Sequence, residues 1–174
     1  LRILLAAPLA LATAAVALAQ SREPVSALKG HNSDAPIDLT ADRLEVQDRA
    51  DRAMFSGNVK VRQDELTLDT ARLTVAYSSS GGVQIKRLDA SGGVTVRSPS
   101  ETARGSFGIY DLDRKLITLV GNVVLQRQGS QLSGQRLVID LDSGRAVIDG
   151  GPAGVGQSGG RVTGHFTVPQ RSGS

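Results

Sequence analysis

Two pairs of aspartates are the residues whose type and spacing could support metal binding or catalysis. Asp111 and Asp113 flank one leucine, and Asp140 and Asp142 flank another. Paired carboxylates can coordinate a cation or share the acid and base roles of glycoside hydrolysis. Each pair, however, comes directly before a predicted turn, where an aspartate side chain accepts hydrogen bonds from nearby backbone. The pattern therefore favours turn formation over metal binding or catalysis.

The remaining side chains give no stronger catalytic candidate. His31 and His165 are the only histidines, and they are far apart in the sequence. The absence of cysteine excludes disulfides, thiol nucleophiles and thiolate metal sites. No nucleophile-elbow or phosphate-loop motif occurs. We therefore predict that the chain has no catalytic residue, no metal site and no cofactor, and a carbohydrate-active enzyme remains the most distant alternative.

Composition narrows the class of protein without choosing a function. The chain has 174 residues, which suits one domain. Its net charge is only +3, its arginines are spread evenly, and it has two tyrosines, three phenylalanines and no tryptophan. A nucleic-acid-binding domain would concentrate basic charge and carry stacking aromatics. Nucleic acid is therefore not an expected partner.

The first residues are typical of an export signal. Residues 1–18 are almost wholly apolar apart from Arg2, and the small residues of an Ala-x-Ala site end at Ala19. We predict a cleavable signal peptide over residues 1–19, with Gln20 as the first mature residue, and export to the periplasm. An uncleaved membrane anchor is the alternative. The other predicted parts are a flexible lead-in over 20–36, a β-domain over 37–168 with a glycine-rich loop at 150–160, and a flexible tail over 169–174.

The predicted β-domain contains repeats. Gly57-Asn58, Gly92-Gly93 and Gly121-Asn122 recur about every 30 residues, each before an alternating apolar segment, and Gly150 continues the series. Gly-Asn and Gly-Gly favour positive φ, so we predict tight turns that feed strands. Alternation of this kind predicts strands with one buried face.

Between these glycines the alternation changes parity. Leu66 and Leu68 are even-numbered, whereas Leu73 and Val75 in the same segment are odd-numbered. A regular strand would send the two pairs to opposite faces, so a bulge or corner is expected at 70–72 and again at 134–136. Stacked units of strand, corner, strand and turn predict an elongated, twisted all-β structure. A helix over 40–53 is the weaker alternative.

The order of these segments resembles a known family. The segments LTADRLEV (39–46), FSGNVKV (55–61), TARLTVAY (70–77) and GNVVLQRQGSQLSGQRLVIDLDSGRAVIDG (121–150) are similar to the OstA-like domain of the lipopolysaccharide transport system, particularly its soluble periplasmic bridge proteins. The resemblance covers about residues 37–168. It implies an incompletely closed, twisted β-jellyroll of antiparallel strands whose hydrophobic interior binds the acyl chains of lipid A.

The resemblance also implies partners and an assembly. Copies would join head to tail, edge strand to edge strand, and would connect inner-membrane and outer-membrane lipopolysaccharide transport components. An exported interaction module with a filled core, which binds protein partners through its edges, is the alternative. The residues expected to mediate assembly at the two edges are Ile37, Leu39, Arg161, Val162 and Phe166.

The predicted inner face consists of mid-sized aliphatic residues with two phenylalanines. An apolar inner face can shield acyl chains from water, since each exposed CH₂ group costs about 0.8 kcal/mol. The candidate lipid-contacting residues are Leu44, Val46, Phe55, Val59, Val61, Leu73, Val75, Val94, Val96, Phe107, Ile109, Val123, Leu125, Leu137 and Ile139. The predicted face is completed by Leu39, Leu66, Leu68, Leu119, Leu132 and Val147.

Overall fold

The structure, a computed structural model, describes Leu28, residues 31–151 and residues 160–166. The predicted signal peptide with its site at Ala19 and Gln20, most of the glycine-rich loop and the tail 169–174 lie outside the described residues. In the described ranges, no helix has the length and apolar character needed to cross a bilayer.

Within the described residues, ten antiparallel strands form one open sheet, which confirms the predicted all-β class. The sheet order is β1-β3-β4-β5-β6-β7-β8-β10, with β2 also paired to β3 and β9 also paired to β8. The strands are β1 (Ile37–Thr40), β2 (Arg43–Gln47), β3 (Arg52–Gln63), β4 (Leu66–Ser78), β5 (Gln84–Arg97), β6 (Glu101–Asp111), β7 (Leu116–Arg127), β8 (Ser130–Asp140), β9 (Ala146–Asp149) and β10 (Thr163–His165).

The repeated glycines lie inside strands and not between them. Gly57-Asn58, Gly92-Gly93 and Gly121-Asn122 all have positive φ and sit in the middle of β3, β5 and β7. In β3 and β4, the two residues of Gly57-Asn58 oppose Ala71 alone. The prediction of tight turns is therefore wrong, because the positive φ forms a β-bulge that bends a continuing strand. The prediction of a corner at 70–72 and 134–136 is confirmed, although the extra residue comes from the neighbouring strand.

The row of bulges, which we call the corner, folds the sheet into two facing layers. The first layer contains residues 37–40, 59–63, 66–70, 94–97, 101–105, 123–127, 130–134 and 163–165. The second layer contains residues 43–47, 52–56, 72–78, 84–91, 107–111, 116–120, 136–140 and 146–149. Tyr110 of the second layer donates a 3.0 Å hydrogen bond to Gln63 Oε1 of the first. The apolar core lies between the layers.

Most of the predicted inner face is buried in this core. The buried members are Val59, Val61, Leu66, Leu68, Leu73, Val75, Val94, Val96, Leu119, Val123, Leu125, Leu137 and Ile139. Phe55, Leu39 and Leu132 are half-buried and pack against them.

The inward orientation predicted for Phe107, Ile109 and Val147 is wrong. Tyr110 is buried in β6, whereas Phe107 is 57% exposed. The inner position beside Phe107 belongs to Gly108, where an added Cβ would lie 3.1 Å from side-chain atoms of Leu119 and Val94. Because these larger side chains fill the space, the apolar alternation of this segment falls on the outer face. Val147 pairs with Val138 on the same outer face and is exposed.

The chain ends also differ from the sequence prediction. The single strand predicted over 37–46 is two strands, because the chain turns at the corner between Thr40 and Arg43. Of the strand predicted over 161–168, only Thr163–His165 forms a strand among the described residues. The segment 40–53 is β2, one 3-10 turn over Asp48–Ala50 and the start of β3, so the strand interpretation is confirmed there. The lead-in is not wholly flexible, because Leu28 is buried and residues 31–36 bond to the domain.

Candidate functional site

An open apolar cleft lies at the N-terminal end of the two layers, and we call it the mouth. It has a volume of about 450 Å³ and extends from β1 of the first layer to the inner face of the second. Its apolar lining residues are Leu39, Val46, Ala53, Phe55, Val75, Val83 and Ile85. The mouth is therefore an open concavity with a mainly apolar lining.

The mouth exists because β2 is an edge strand. Leu44 pairs with Phe55 and Val46 pairs with Ala53, so their side chains continue the inner rows of the second layer. Beyond β2 no described strand covers them, and each is 54% exposed. Their predicted inner-face position is correct, but they border an opening instead of lying in the core. Large apolar side chains grouped at an opening typically mark a site of interaction.

The rim of the mouth is acidic. Asp48 and Asp51 lie on the turn between β2 and β3. Tyr77 Oη lies 3.5 Å from Asp48 Oδ1, and Ser79 Oγ donates a 3.2 Å hydrogen bond to Asp51 Oδ1. Partial removal from water, followed by the charges of both aspartates, raises the pKa of Tyr77 above its usual range. The rim therefore favours apolar or cationic groups and repels phosphates.

Deeper between the layers there is little free space. A cavity beside Gln63 has a volume of about 20 Å³, which is room for one water molecule. Its walls are apolar apart from Gln63 and Tyr110, which bond to each other. Residues such as Val61, Leu68 and Val96 therefore contact other side chains in this structure, and any larger guest must displace part of the packing.

The side opposite the corner, which we call the seam, is where the hairpin turns of the two layers meet. There Asp111 Oδ1 accepts a 2.9 Å bond from Arg114 N, and Asp140 Oδ1 accepts bonds of 3.0 and 2.9 Å from the backbone of Asp142 and Ser143. Interpretation of the aspartate pairs as turn residues is thus confirmed. The leucine between each pair packs inward: Leu141 is buried and Leu112 is half-buried against the core.

The corner is held by contacts between the motifs that carry the family resemblance. Asn58 Nδ2 donates a 2.8 Å hydrogen bond to Asp42 Oδ2, and Asp42 N donates a 2.9 Å bond to Gly57 O. The Ala-Asp-x-Leu segment and the first Gly-Asn-Val segment are therefore two sides of one bend. Gly150 and Gly151 occupy the corresponding place after β9, where Gly151 has a φ of 75°.

The residues predicted for edge assembly lie at the two ends of the sheet. Ile37 and Leu39 are in β1, and their side chains point inward and are half-buried. Arg161, Val162 and Phe166 flank β10 and are exposed. In the part of the chain that the structure describes, no strand pairs with the outer sides of β1 and β2 or of β9 and β10.

Sequence reasoning missed several residues of the mouth. Val83 lies in the loop that joins β4 to β5, and Ile85 lies near the start of β5. Asp48 and Asp51 are distant from Tyr77 in the sequence, and the pairing of β2, β3 and β4 brings them together. The single available signal was the apolar pair Val83 and Ile85, which continues the period-2 pattern beyond the Ser-Gly loop.

Comparisons with known proteins agree with this fold. A family model described as "LptA/(LptD N-terminal domain) LPS transport protein" matches residues 38–145. A protein of Rhizobium meliloti (strain 1021), named "Uncharacterized protein R00383", is 34% identical over 125 residues, covering 68% of this chain and 67% of its own. The crystal structure of LptH from Pseudomonas aeruginosa, described as the LptA homologous periplasmic component of the lipopolysaccharide transport device, aligns with a TM-score of 0.68. That alignment has 17% identity and covers 79% of this chain and 99% of LptH.

Proposed function

The chain belongs to the LptA/(LptD N-terminal domain) family of lipopolysaccharide transport proteins, and from this premise we propose that it shields lipid A acyl chains on their way through the periplasm. The mouth is the single observation that carries this proposal. It offers flexible apolar chains an opening lined by Leu39, Val46 and Phe55 and continuous with the core between the layers.

The chemistry of the mouth suits acyl chains better than a rigid ligand. Its walls are aliphatic residues and one phenylalanine, and a side-chain cation is absent from its described lining. Covering each CH₂ group of a lipid gains about 0.8 kcal/mol, so even part of one chain would bind appreciably. The negative charges of Asp48 and Asp51 would keep lipid phosphates away from the rim, leaving the acyl part as the portion that enters.

We propose that acyl chains contact the mouth first, at Leu44, Val46 and Phe55. They then replace contacts among the buried members of the predicted inner face, from Val59 to Ile139. No catalytic step is required, because shielding and release need only burial and a connected path. Energy for net transport would come from a partner at the inner membrane. Cleavage after Ala19 would release the protein into the periplasm.

Two phenylalanines provide a matched test of lipid binding. A photo-crosslinking amino acid at Phe55, in the mouth, should give lipopolysaccharide adducts when the protein is expressed in a Gram-negative periplasm. The same amino acid at Phe107, which is exposed on the outer face, should give few. Equal labelling at both positions would indicate non-specific apolar contact. A folded protein with no adduct at position 55 would favour the interaction module with a filled core.

We further propose that copies join head to tail, with β9 and β10 of one copy pairing with β2 and β1 of the next. The register at the corner follows one rule. The residue directly before a positive-φ glycine pairs with the first residue of the second layer in the neighbouring strand. Ser56, which precedes Gly57, pairs in this way with Arg43 of β2 and with Arg72 of β4. Continuing the rule would place Asp149 opposite Arg43 of the next copy.

The same register would bring Ile148 opposite Leu44 and Ala146 opposite Val46 of that copy. The exposed inner-face residues of the mouth would then be covered by a neighbour, and the two interiors would be continuous. A contact between two different edges propagates as a filament, which suits a connection between inner-membrane and outer-membrane components.

Charge reversal tests this register. Arg43→Asp should weaken self-association several-fold in concentration-dependent light scattering, because Asp149 would face a like charge. The double variant Arg43→Asp, Asp149→Arg should restore it. Circular dichroism should show an unchanged β-fold throughout. If the single and double variants associate like the wild type, the proposed register is wrong.

A further inference from the structure

A short segment before β1 is docked on the domain beside Gln63, at the seam end of β3. This segment, which we call the strap, consists of Leu28 and residues 31–36. Leu28 is only 4% exposed and belongs to the apolar core, although it precedes the first strand. The backbone N–H groups of His31, Ser33 and Ala35 bond to carbonyls within the strap itself. The strap is therefore a locally folded segment docked on the domain, not a strand of the sheet.

One side chain ties the strap to both layers. Gln63, at the seam end of β3, is 2% exposed. Its Nε2 donates to Ser33 O at 2.8 Å and to Ala35 O at 3.0 Å. Its Oε1 accepts from Tyr110 Oη at 3.0 Å and lies 3.1 Å from His31 Nε2, which must be the donor because an amide oxygen only accepts.

The strap lies beside a small cavity between the layers. Gln63 and Tyr110 line the cavity of about 20 Å³ together with Ile37, Leu66 and Ile117. An acyl chain cannot enter this volume while the strap, the Gln63 bonds and the two layers keep their positions. The corner between β3 and β8 cannot provide the space, because there each of these strands passes from one layer to the other without interruption.

We infer that the strap is a lateral gate, whose release opens the seam to an acyl chain. The inference rests on the proposed function, since it concerns how lipid reaches the interior. The strap is suited to this role because the backbone bonds donated by His31, Ser33 and Ala35 are internal and survive undocking. Release breaks the bonds to Gln63 and withdraws Leu28, and it leaves every strand pair intact.

A closed gate lowers apparent lipid affinity in proportion to the fraction of molecules that are open. Local opening of a docked segment also has a smaller free energy than global unfolding, so amides of the strap exchange by a route that core strands do not share. These two consequences can be measured on the same protein.

The test compares Leu28→Ala with Leu137→Ala in the mature protein. Both remove the same atoms from buried leucines, but Leu137 is in β8, outside the strap and outside the lining of the cavity beside Gln63. Hydrogen exchange of residues 31–35 should be about tenfold or more faster in Leu28→Ala than in the wild type. It should be unchanged in Leu137→Ala, although that variant unfolds at lower denaturant concentration. Fluorescently labelled lipopolysaccharide should bind Leu28→Ala with an affinity raised by a similar factor.

Three outcomes would overturn the gate. Equal strap exchange in wild type and Leu28→Ala would mean that Leu28 does not hold the strap closed. Faster exchange with unchanged lipopolysaccharide binding would mean that the strap opens without admitting lipid. Failure of every variant, including the wild type, to bind lipopolysaccharide would instead refute the proposed function, and the gate with it. Slow exchange in the core strands of Leu28→Ala would establish that this variant is folded.

Discussion

The two sides of the jellyroll are closed in different ways. At the corner, strands β3 to β8 pass from one layer to the other, and glycine and asparagine residues with positive φ make the bend. At the seam, the contacts among the described residues include the Gln63–Tyr110 bond between the layers, and Leu28 of the strap and Leu112 and Leu141 of two turns pack against the core. The corner is a continuous backbone connection, whereas the seam is a non-covalent contact.

This difference separates what the fold requires from what the proposed function requires. Under the proposed function, the protein needs a stable sheet and an interior that can change its volume. Backbone geometry fixes the sheet at the corner, where an added Cβ at Gly92 would clash with Ala71. Packing of apolar side chains closes the seam, and under the proposal these contacts would be exchanged for contacts with an acyl chain.

The strongest test of the corner is Gly92→Ala. Gly92 has a φ of 84°, and an added Cβ would lie 2.8 Å from Ala71 Cβ, which has no flexible atoms to move aside. The left-handed conformation alone costs about 1–2 kcal/mol, and the clash should bring the loss of unfolding free energy to about 3 kcal/mol. Urea denaturation followed by circular dichroism would measure it.

Gly93→Ala is the matched control. Gly93 has nearly the same φ, 86°, but no atom lies within 4 Å of an added Cβ. It should therefore lose only about 1–2 kcal/mol of unfolding free energy, the cost of the conformation itself. Ala71→Gly combined with Gly92→Ala should recover the steric part. If Gly92→Ala and Gly93→Ala are equally destabilised, the corner is more adaptable than its contacts indicate, and the contrast with the seam weakens.

The sequence predicts the corner far better than the seam. Positive-φ residues recur as Gly-Asn and Gly-Gly, and the parity change beside Ala71 reveals the bend, so the repeat and the all-β class could be predicted. The sequence could not show whether Gly57-Asn58 forms a turn between two strands or a bulge that bends one strand, because a turn and a bulge both use positive φ. The choice depends on which residues pair, as Ser56 with Arg72 and Val59 with Thr70.

The seam and the outer face depend on partners that are distant in sequence. Nothing local to His31 indicates that it will bond to Gln63, and nothing local to Leu28 indicates that it will join the core. In β6 the alternation of Phe107 and Ile109 resembles an inner face, yet Gly108 takes the inner position because Leu119 of the adjacent strand and Val94 of the first layer fill the space beside it. Similarly, Leu44 and Val46 follow the inner pattern correctly, but their exposure results from the edge position of β2.

The pH dependence of stability gives a smaller difference between the seam and the corner, because Tyr110 lies at the seam. Burial, with a further contribution from Asp34, raises the pKa of Tyr110 above its usual value near 10. Because the folded protein holds this proton more tightly than the unfolded chain, the stabilisation is complete below pH 10 and disappears as the pH rises through the raised pKa. Tyr110→Phe removes one buried hydrogen bond to Gln63 and should cost about 1 kcal/mol below pH 10.

The chain has only two tyrosines, so Tyr77→Phe leaves Tyr110 as the sole phenol. Phenolate absorbance of that variant should rise at a higher pH than a free tyrosine, and the rise should accompany a loss of thermal stability. Tyr110→Phe should lose less stability over the same pH range, since it has no phenol at the seam. A phenol that titrates normally, with stability independent of it, would mean that Tyr110 is not held between the layers. The seam would then depend on the leucines alone, and Leu28, Leu112 and Leu141 would be the residues that set its opening.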